Sequence, residues 1–303
     1  MLHIGGMELR HLRYFVGVAD ELHFGRAARR LGISQPPLSQ QIRALEDELG
    51  VALFERTSRQ VTLTGPGRLF LIEARKTLAQ AAQAIDIARR AQQGEVGEVS
   101  VGFSSSVPFT AVVVEALSAF RETRPAVRLN LTEMPRGDQI EALIHERIDI
   151  AFVRGFETPS LSIPITVRLL LTEPLLVAMR SDHPLAARGP APRIDDLRDV
   201  PFVLYQRTFG VGFNEHLTQL CARAGFAPRV VQEATGLSTL LGLVAAGMGI
   251  TVITRSLSML HPENVVFRTL DDPEAQSKLW LLHRSRLSTP AQAFVDLIGR
   301  GAE

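Results

Sequence analysis

Cysteine occurs once in 303 residues, at Cys221, which excludes a disulfide framework and a thiolate-cage metal site and fits a reducing compartment. Its place between Leu217 and Ala224 in a helical pattern reads as a small buried thiol. The eight histidines are scattered, with neither an H-E-x-x-H nor a Cys/His spacing, so no metal site is predicted. Charge of one sign is missing too. Against 33 Lys+Arg stand 32 Asp+Glu, leaving +1, so no global basic field points to nucleic acid. Catalytic loops fail on their glycines. Gly65-Pro-Gly-Arg68 has no G-K-[ST] after it, and Gly247-Met-Gly249 lacks the third glycine of a dinucleotide loop. Gly102-Phe-Ser-Ser105 lacks the second glycine of a nucleophile elbow. No enzyme and no cofactor is predicted.

A secretory signal is absent from the N-terminus, where Met7 reads as the natural start and residues 1–6 as an extension. The longest uncharged stretch runs between Ala234 and Arg255, long enough to span a membrane. Gly236, Gly242, Gly247 and Gly249 break it into a buried helix over 235–246, a turn and a strand over 249–254. A cytoplasmic protein without a membrane segment is expected.

What is present is an ordinary globular composition, 46% apolar and 21% charged, at a length that suits two domains. The charge divides unevenly: residues 1–93 hold 13 basic and 9 acidic residues, the remainder 20 and 23. A basic front on an acidic back hints that the front meets a polyanion.

The front predicts three helices. Leu12, Phe15, Val16, Ala19 and Leu22 form one apolar stripe, and Ala27, Ala28 and Leu31 a second. Gly32-Ile33 is a tight turn, Ser34 an N-cap, and Pro36 and Pro37 occupy a first turn where a missing N–H costs little. The third helix buries Leu38, Ile42, Leu45 and Leu49 and stops at Gly50. Its other face carries Gln35, Pro36, Ser39, Gln40 and Arg43, side chains of the types that read base edges and phosphates from the major groove. A hairpin over 53–63 follows, with Arg56 and Arg59 at its tip. Glu46, Asp47 and Glu48 sit toward the end of the third helix that phosphate would repel. The same spacing also fits a helical bundle with a polar outer face.

Beyond it, Thr64 caps a long helix whose apolar residues repeat every seven: Leu71, Leu78 and Ile85, with Ala74, Ala81 and Ala88. This reads either as a dimerisation seam or as one helix lying on its own domain. Residues 94–97 form a hinge. Strands and helices then alternate: strands over 99–103, 128–134 and 148–153 with helices over 109–122 and 138–146, then strands over 175–179, 202–205, 229–232 and 249–253, and finally 278–283 with a helix over 290–298. That alternation predicts an α/β architecture of mostly parallel strands. Ligands in such sheets sit at the carboxyl ends of strands, which selects Ser104, Ser105 and Ser106, then Arg136, then Arg154, with Tyr205, Phe209 and Phe213 as an opposite wall. The serines read equally as an ordinary turn and cap, and Arg154 as a surface or hinge ion pair.

The runs Leu9-Arg-His-Leu-Arg-Tyr-Phe-Val16, His23-Phe-Gly-Arg-Ala-Ala28, Ser34-Gln-Pro-Pro-Leu-Ser39, Leu45-Glu-Asp-Glu-Leu-Gly-Val-Ala-Leu-Phe-Glu-Arg56 and Leu63-Thr-Gly65 closely resemble LysR-type transcriptional regulators. The resemblance covers the whole chain. It implies a winged helix-turn-helix over 7–63, a dimerising linker helix over 64–93, and a two-lobed, periplasmic-binding-protein-like effector domain over 98–303. Lobe I would hold about 98–167 and 268–303, and lobe II about 168–267. It implies promoter DNA read by Gln35, Pro36, Pro37, Ser39, Gln40 and Arg43, with Arg56 and Arg59 on the wing. It also implies RNA polymerase as a partner and homodimers that assemble into homotetramers. Within the family the similarity leans toward regulators of aromatic-compound breakdown, which answer to muconate-like dicarboxylates or aromatic acids. It rests on Glu141-Ala-Leu143, Asp149-Ile-Ala-Phe-Val-Arg154, Asp182-His-Pro-Leu185 and Leu241-Gly-Leu-Val-Ala-Ala-Gly247. Two positions depart from the pattern: Gln40 stands where many relatives carry Arg, and Arg136 where Ser or Thr is common. A sequence-specific regulator with a small organic acid effector is the resulting expectation. Its rivals are a solute-binding protein, a ligand-independent repressor and an enzyme with a DNA-binding appendage.

Overall fold

The computed structural model describes residues 6–57, 60–159, 164–187, 189–206 and 213–301, divided between two units, Met1–Arg89 and Arg90–Glu303. The first unit begins with α1 (Leu9–Glu21), α2 (Phe24–Leu31) and α3 (Gln35–Leu49). Leu12, Phe15 and Val18 of α1, Ala27 and Ala28 of α2, and Leu38, Ile42 and Leu45 of α3 bury one stripe each into a common core. Gly32 sits at φ 69°, a left-handed turn that lets its N–H cap the carbonyls of Ala28 and Arg29 and aims the chain into α3. Ser34 occupies the N-cap position of α3 but makes no side-chain cap bond. The ring of His23 caps α2 instead, its Nδ1 accepting from the backbone N–H groups of Gly25 and Arg26 at 3.1 and 3.2 Å.

A short antiparallel hairpin, β1 (Phe54–Arg56) and β2 (Val61–Leu63), leads to α4 (Gly65–Gln92). Thr64 starts α4, its Oγ1 accepting from Gly67 N at 2.9 Å and donating to the Ala52 carbonyl at 2.8 Å. The apolar seam expected on α4 is divided. Ala74 is buried in the core of its own domain, with Leu71 and Leu78 packed against that core. The small three-helix core needs that cover to close. Only Ile85 and Ala88 of the seam are exposed, together with Leu69, Ile72 and Ile87 on a different face.

In the second unit a sheet is ordered β10-β6-β11-β5-β3-β4, with β9 also on β6. Its strands are β3 (Gly97–Phe103), β4 (Val127–Glu133), β5 (Ile150–Gly155), β6 (Ile165–Arg180), β9 (Thr251–Thr254), β10 (Val265–Thr269) and β11 (Gln276–Arg284). β7 (Pro201–Tyr205) and β8 (Arg229–Ala234) form a parallel pair. The helices are α5 (Ala111–Thr123), α6 (Arg136–Ile144), α7 (Phe213–Arg223), α8 (Leu237–Ala245) and α9 (Thr289–Gly301). The expectation of mostly parallel strands needs correction: β3 runs parallel to β4 and β5, but β11 pairs antiparallel with β5 and β6, and β6 antiparallel with β9 and β10.

β6 carries the architecture. Ile165–Leu171 of this strand pairs with β11 over a core that includes Phe120, Phe152 and Phe294. From Leu175 onward it pairs with β9 and β10, beside cores built on Phe202, Leu217 and Leu240. One strand therefore crosses from the first lobe to the second, and Pro174 lies at the change of partner, where a missing N–H is tolerated. Of the residues expected to hinge at 94–97, Gly94, at φ 70°, and Glu95 form the turn after α4, their N–H groups donating to Ala91 O and Arg90 O, and Gly97 opens β3. Among the described residues no helix is long and apolar enough to cross a membrane.

Candidate functional site

On α3 the polar face stands clear of the core. Gln35, Pro36, Pro37, Gln40 and Arg43 are exposed and Ser39 is half-buried, while Leu38, Ile42 and Leu45 occupy the opposite side. The wing is built differently from its sequence reading. Arg56 does not project freely: its Nη2 lies 2.7 Å from Glu46 Oε2, and its guanidinium covers the Phe24 ring at 4.8 Å. Glu46 Oε1 also accepts from the backbone N–H groups of Leu53 and Phe54 at 2.9 and 3.0 Å. The acid assigned to the end of the helix away from DNA is thus the anchor of the hairpin, and Arg56 is its counter-ion. Arg59 lies outside the described residues.

In the second unit a cavity of about 290 Å³ opens between the lobes. It is lined by Ser104, Ser105, Ser106, Arg136, Arg154, Tyr205 and Phe213, so seven of the eight residues selected from sequence share one space; Phe209 lies outside the described residues. Their roles differ. The serines do not cap a helix directly, because a 3₁₀ turn over Val107–Phe109 separates them from α5. Ser106 Oγ and Thr110 Oγ1 instead accept from Arg154 Nε and Nη2 at 3.0 and 3.1 Å, and Ser256 Oγ takes a further Nη2 contact at 3.1 Å. Arg154 Nη1 is ion-paired with Glu173 on β6, each side chain 11% exposed. Glu173 accepts in turn from Ser256 N at 2.9 Å and from its hydroxyl. Burial pulls the Arg154 guanidinium below its usual range and the Glu173 carboxylate opposes that. Arg154 thus borders the cavity and also makes an ion pair, buried rather than at the surface, that joins β5, β6 and the segment after β9.

Arg136 is the first residue of α6, two residues earlier than the helix was expected to begin. It is half-buried, burial lowers its pKa, and among the described residues no carboxylate pairs with it. Tyr205 is pushed up to about 12 by burial, a hydrogen bond with Ser105 opposing the rise, so it stays a neutral phenol. Three lining hydroxyls, Ser104 Oγ, Thr254 Oγ1 and Ser277 Oγ, are buried without a protein partner. Thr254 and Ser277 were missed from sequence because nothing local marks a strand residue that will border a cavity. Glu173 did carry a signal, as a lone acid inside an apolar strand. Burial pushes the Cys221 thiol up to about 11, and among the described residues no metal-binding cluster occurs.

Phe156 at the cavity edge stacks on the ring of His216, centroids 3.6 Å apart, and His216 Nε2 lies 2.9 Å from the Glu274 carbonyl. Burial, aided by Arg223 and opposed by Asp272 and Glu157, lowers the His216 pKa from the ordinary 6.5. His183 is lowered as well, chiefly by burial. The unfolded chain therefore takes up protons that the folded chain resists, and stability is complete above about pH 6.5 and falls as pH drops through the lowered values. Melting curves from pH 7.5 to 5.5 should show this decline, and His216→Gln should flatten it; an equal slope in the variant would refute the assignment.

One unit carries a helix with an exposed polar face and the other a two-lobed cavity of ligand size, the combination expected of a ligand-responsive regulator of transcription. The family model for "Bacterial regulatory helix-turn-helix protein, lysR family" matches residues 9–68, and that for "LysR substrate binding domain" matches residues 92–303. The chain is 40% identical over 276 residues to the uncharacterized HTH-type transcriptional regulator YnfL of Escherichia coli (strain K12), covering 91% of this chain and 92% of that one. It is 37% identical over 284 residues to AlsR of Bacillus subtilis (strain 168), with 94% and 92% covered. Among solved structures, full-length CbnR complexed with its target DNA matches with a TM-score of 0.83 at 29% identity, over 98% of this chain and all (100%) of that chain. Full-length BenM matches with a TM-score of 0.59 at 34% identity, over 97% and 96%. The chain belongs to the LysR family, whose members are DNA-binding transcriptional regulators with an effector-binding domain, not enzymes.

Proposed function

We propose that this regulator reads promoter DNA with the exposed face of α3 and changes its promoter binding when a small organic acid enters the cavity between the lobes. The observation that carries the second half is the convergence of an unpaired, half-buried Arg136 with three partnerless hydroxyls in one cavity. For the first half, Gln35, Pro36, Ser39, Gln40 and Arg43 present polar and cationic groups on one side of a helix whose other side is core. The solved complex of CbnR with its target DNA supports the same use of the front unit. Two chains pair through the apolar residues that α4 leaves exposed, and pairs assemble into tetramers on a two-fold operator. Acting on promoter DNA, the protein works in the cytoplasm.

Ser39→Ala and Pro36→Arg test the reading face. Each is expected to weaken operator binding by about tenfold, the scale of one lost base contact, with unchanged circular dichroism. A gel-shift titration with undiminished affinity for both variants would remove α3 from the interface. For the effector, an acid that raises the melting point and shifts the gel-shift midpoint supports the reading, and binding restricted to amines or cations refutes it.

A further inference from the structure

We propose that Asp20 sets the separation of the two half-sites that this regulator accepts. It is a positioning residue that pins α4 to the three-helix head and so fixes the angle at which α3 is presented to DNA. This rests on the reading in which α3 meets DNA and two chains pair through α4.

The apolar hold of α4 on its own head is thin. Among the described residues of this helix, Gly67 and Ala74 alone are buried. Leu71 and Leu78 pack on the core from partly exposed positions, and Phe70 meets Phe15 edge-on, ring centroids 5.0 Å apart. Such contacts are non-directional, so they resist separation better than tilt. The start of the helix is fixed firmly. Thr64 N and Oγ1 donate to the Leu53 and Ala52 carbonyls at 3.0 and 2.8 Å. A Cβ on Gly67 would come within 2.1 Å of Leu53 O, so the first turn rests directly on that backbone. One fixed point is a pivot, and a direction needs a second.

Arg75 supplies the second point, roughly 12 Å further along the helix. Its Nη2 lies 2.6 Å from Asp20 Oδ1, near the end of α1. The other oxygen of Asp20, Oδ2, lies 2.7 Å from Nη2 of Arg30 on α2. Arg30 is held in turn by the Glu21 carboxylate at 3.1 Å, and the Glu21 carbonyl accepts from Arg26 at 2.6 Å. The carboxylate is therefore no loose surface charge: α1 supplies it, α2 aims it and α4 receives it. The Arg30 hydrogen bond, opposed by burial and joined by that of Arg75, holds the Asp20 carboxyl below its usual range, so it stays charged at neutral pH.

A small tilt at this joint has a large effect at the DNA. A three-helix head is about two interhelical spacings across, roughly 20 Å, and over that arm a tilt of about 10° moves the reading face by about 3.5 Å. That is close to one base-pair step of about 3.4 Å.

The test uses the full chain. The parent protein first selects an inverted repeat from random-sequence DNA. The probes are that duplex, the same duplex with one base pair added or removed between the half-sites, and a lone half-site, titrated by fluorescence anisotropy at one salt concentration. The parent is expected to favour the selected spacing by about tenfold or more, since each added base pair both shifts a half-site and turns it about the axis. Asp20→Ala and Arg75→Ala should each cut that preference to about threefold or less while binding the lone half-site within about twofold of the parent. Arg75 is 58% exposed, so its removal should leave the melting point within about 2 °C, which keeps the test sound even where loss of Asp20 unsettles the fold. Arg75→Lys keeps the cation and should keep most of the preference. A spacing preference unchanged in Arg75→Ala overturns the proposal and leaves the paired reading intact. So does an equal loss on every probe, the lone half-site included, which marks damage to the reading face instead. A parent that selects no repeated half-site, or binds every spacing alike, overturns both.

Discussion

Glutamine at position 173 is expected to lower the melting temperature of the effector unit by roughly 10 °C, the effect of about 3 kcal/mol on a unit of this size. Glu173 is the sole carboxylate ion-paired with Arg154 among the described residues, and both side chains are 11% exposed. Removing one partner leaves a guanidinium buried with its charge unmatched, the costly half of any buried pair. The hydroxyls of Ser106, Thr110 and Ser256 still accept from Arg154 but carry no countercharge. Replacing both ions together, as Arg154→Met with Glu173→Leu, should recover a large part of the loss, since no orphan charge remains. Scanning calorimetry of the three variants separates the outcomes: a single variant that melts with the parent protein would show the pair to be dispensable. A double variant that is stable yet deaf to effector would show that the brace matters for lobe registration rather than for folding.

The second large effect belongs to Glu46. Alanine there strips the acceptor from the backbone N–H groups of Leu53 and Phe54, two residues 1% and 4% exposed, and the counter-ion from Arg56. A buried donor left unmade costs about 1–3 kcal/mol, so a loss of roughly 3 kcal/mol in the DNA-binding unit is expected in urea unfolding. Glutamine keeps one carbonyl acceptor and should cost less. Arg56→Ala decides what the arginine does. Were it a phosphate contact, the slope of log affinity against log salt would fall by about one. The expected result is a less stable domain with an unaltered salt slope, because the guanidinium is held by Glu46 and by the Phe24 ring.

Helical stripes were the most legible part of the chain. Phe15, Leu38 and Ile42 are core because 3.6-residue spacing and apolarity leave them no other face. The turn at Gly32 was legible for the same local reason, as a left-handed backbone is cheapest for glycine. The cavity was half legible: residues following strand ends converge by topology, which marks Ser104, Arg136 and Tyr205 from the sequence. What local pattern could not supply was partnership. Arg154 and Glu173 are 19 positions apart, and Glu46 and Arg56 ten, and no local spacing rule joins either pair. The first half of β6 escaped because Pro174 reads as a strand breaker, and its toleration depends on neighbours far along the chain. Leu71 and Leu78 obeyed the heptad but found their cover inside their own domain, an outcome that spacing alone leaves open.

The unbroken run of β6 through both lobes governs how they can move. Two bodies joined by loose linkers swing; two bodies that share a strand must twist it. Between Leu171 and Leu175 only a few backbone torsions are soft, and the φ of Pro174 is locked by its ring. The return crossing, where Leu270 N and Leu175 N donate to Leu175 O and Ala275 O respectively, is tied to the same point. A ligand seated between the lobes would act on a stiff torsion element, and the shared strand allows a small change in twist more readily than a wide opening of jaws.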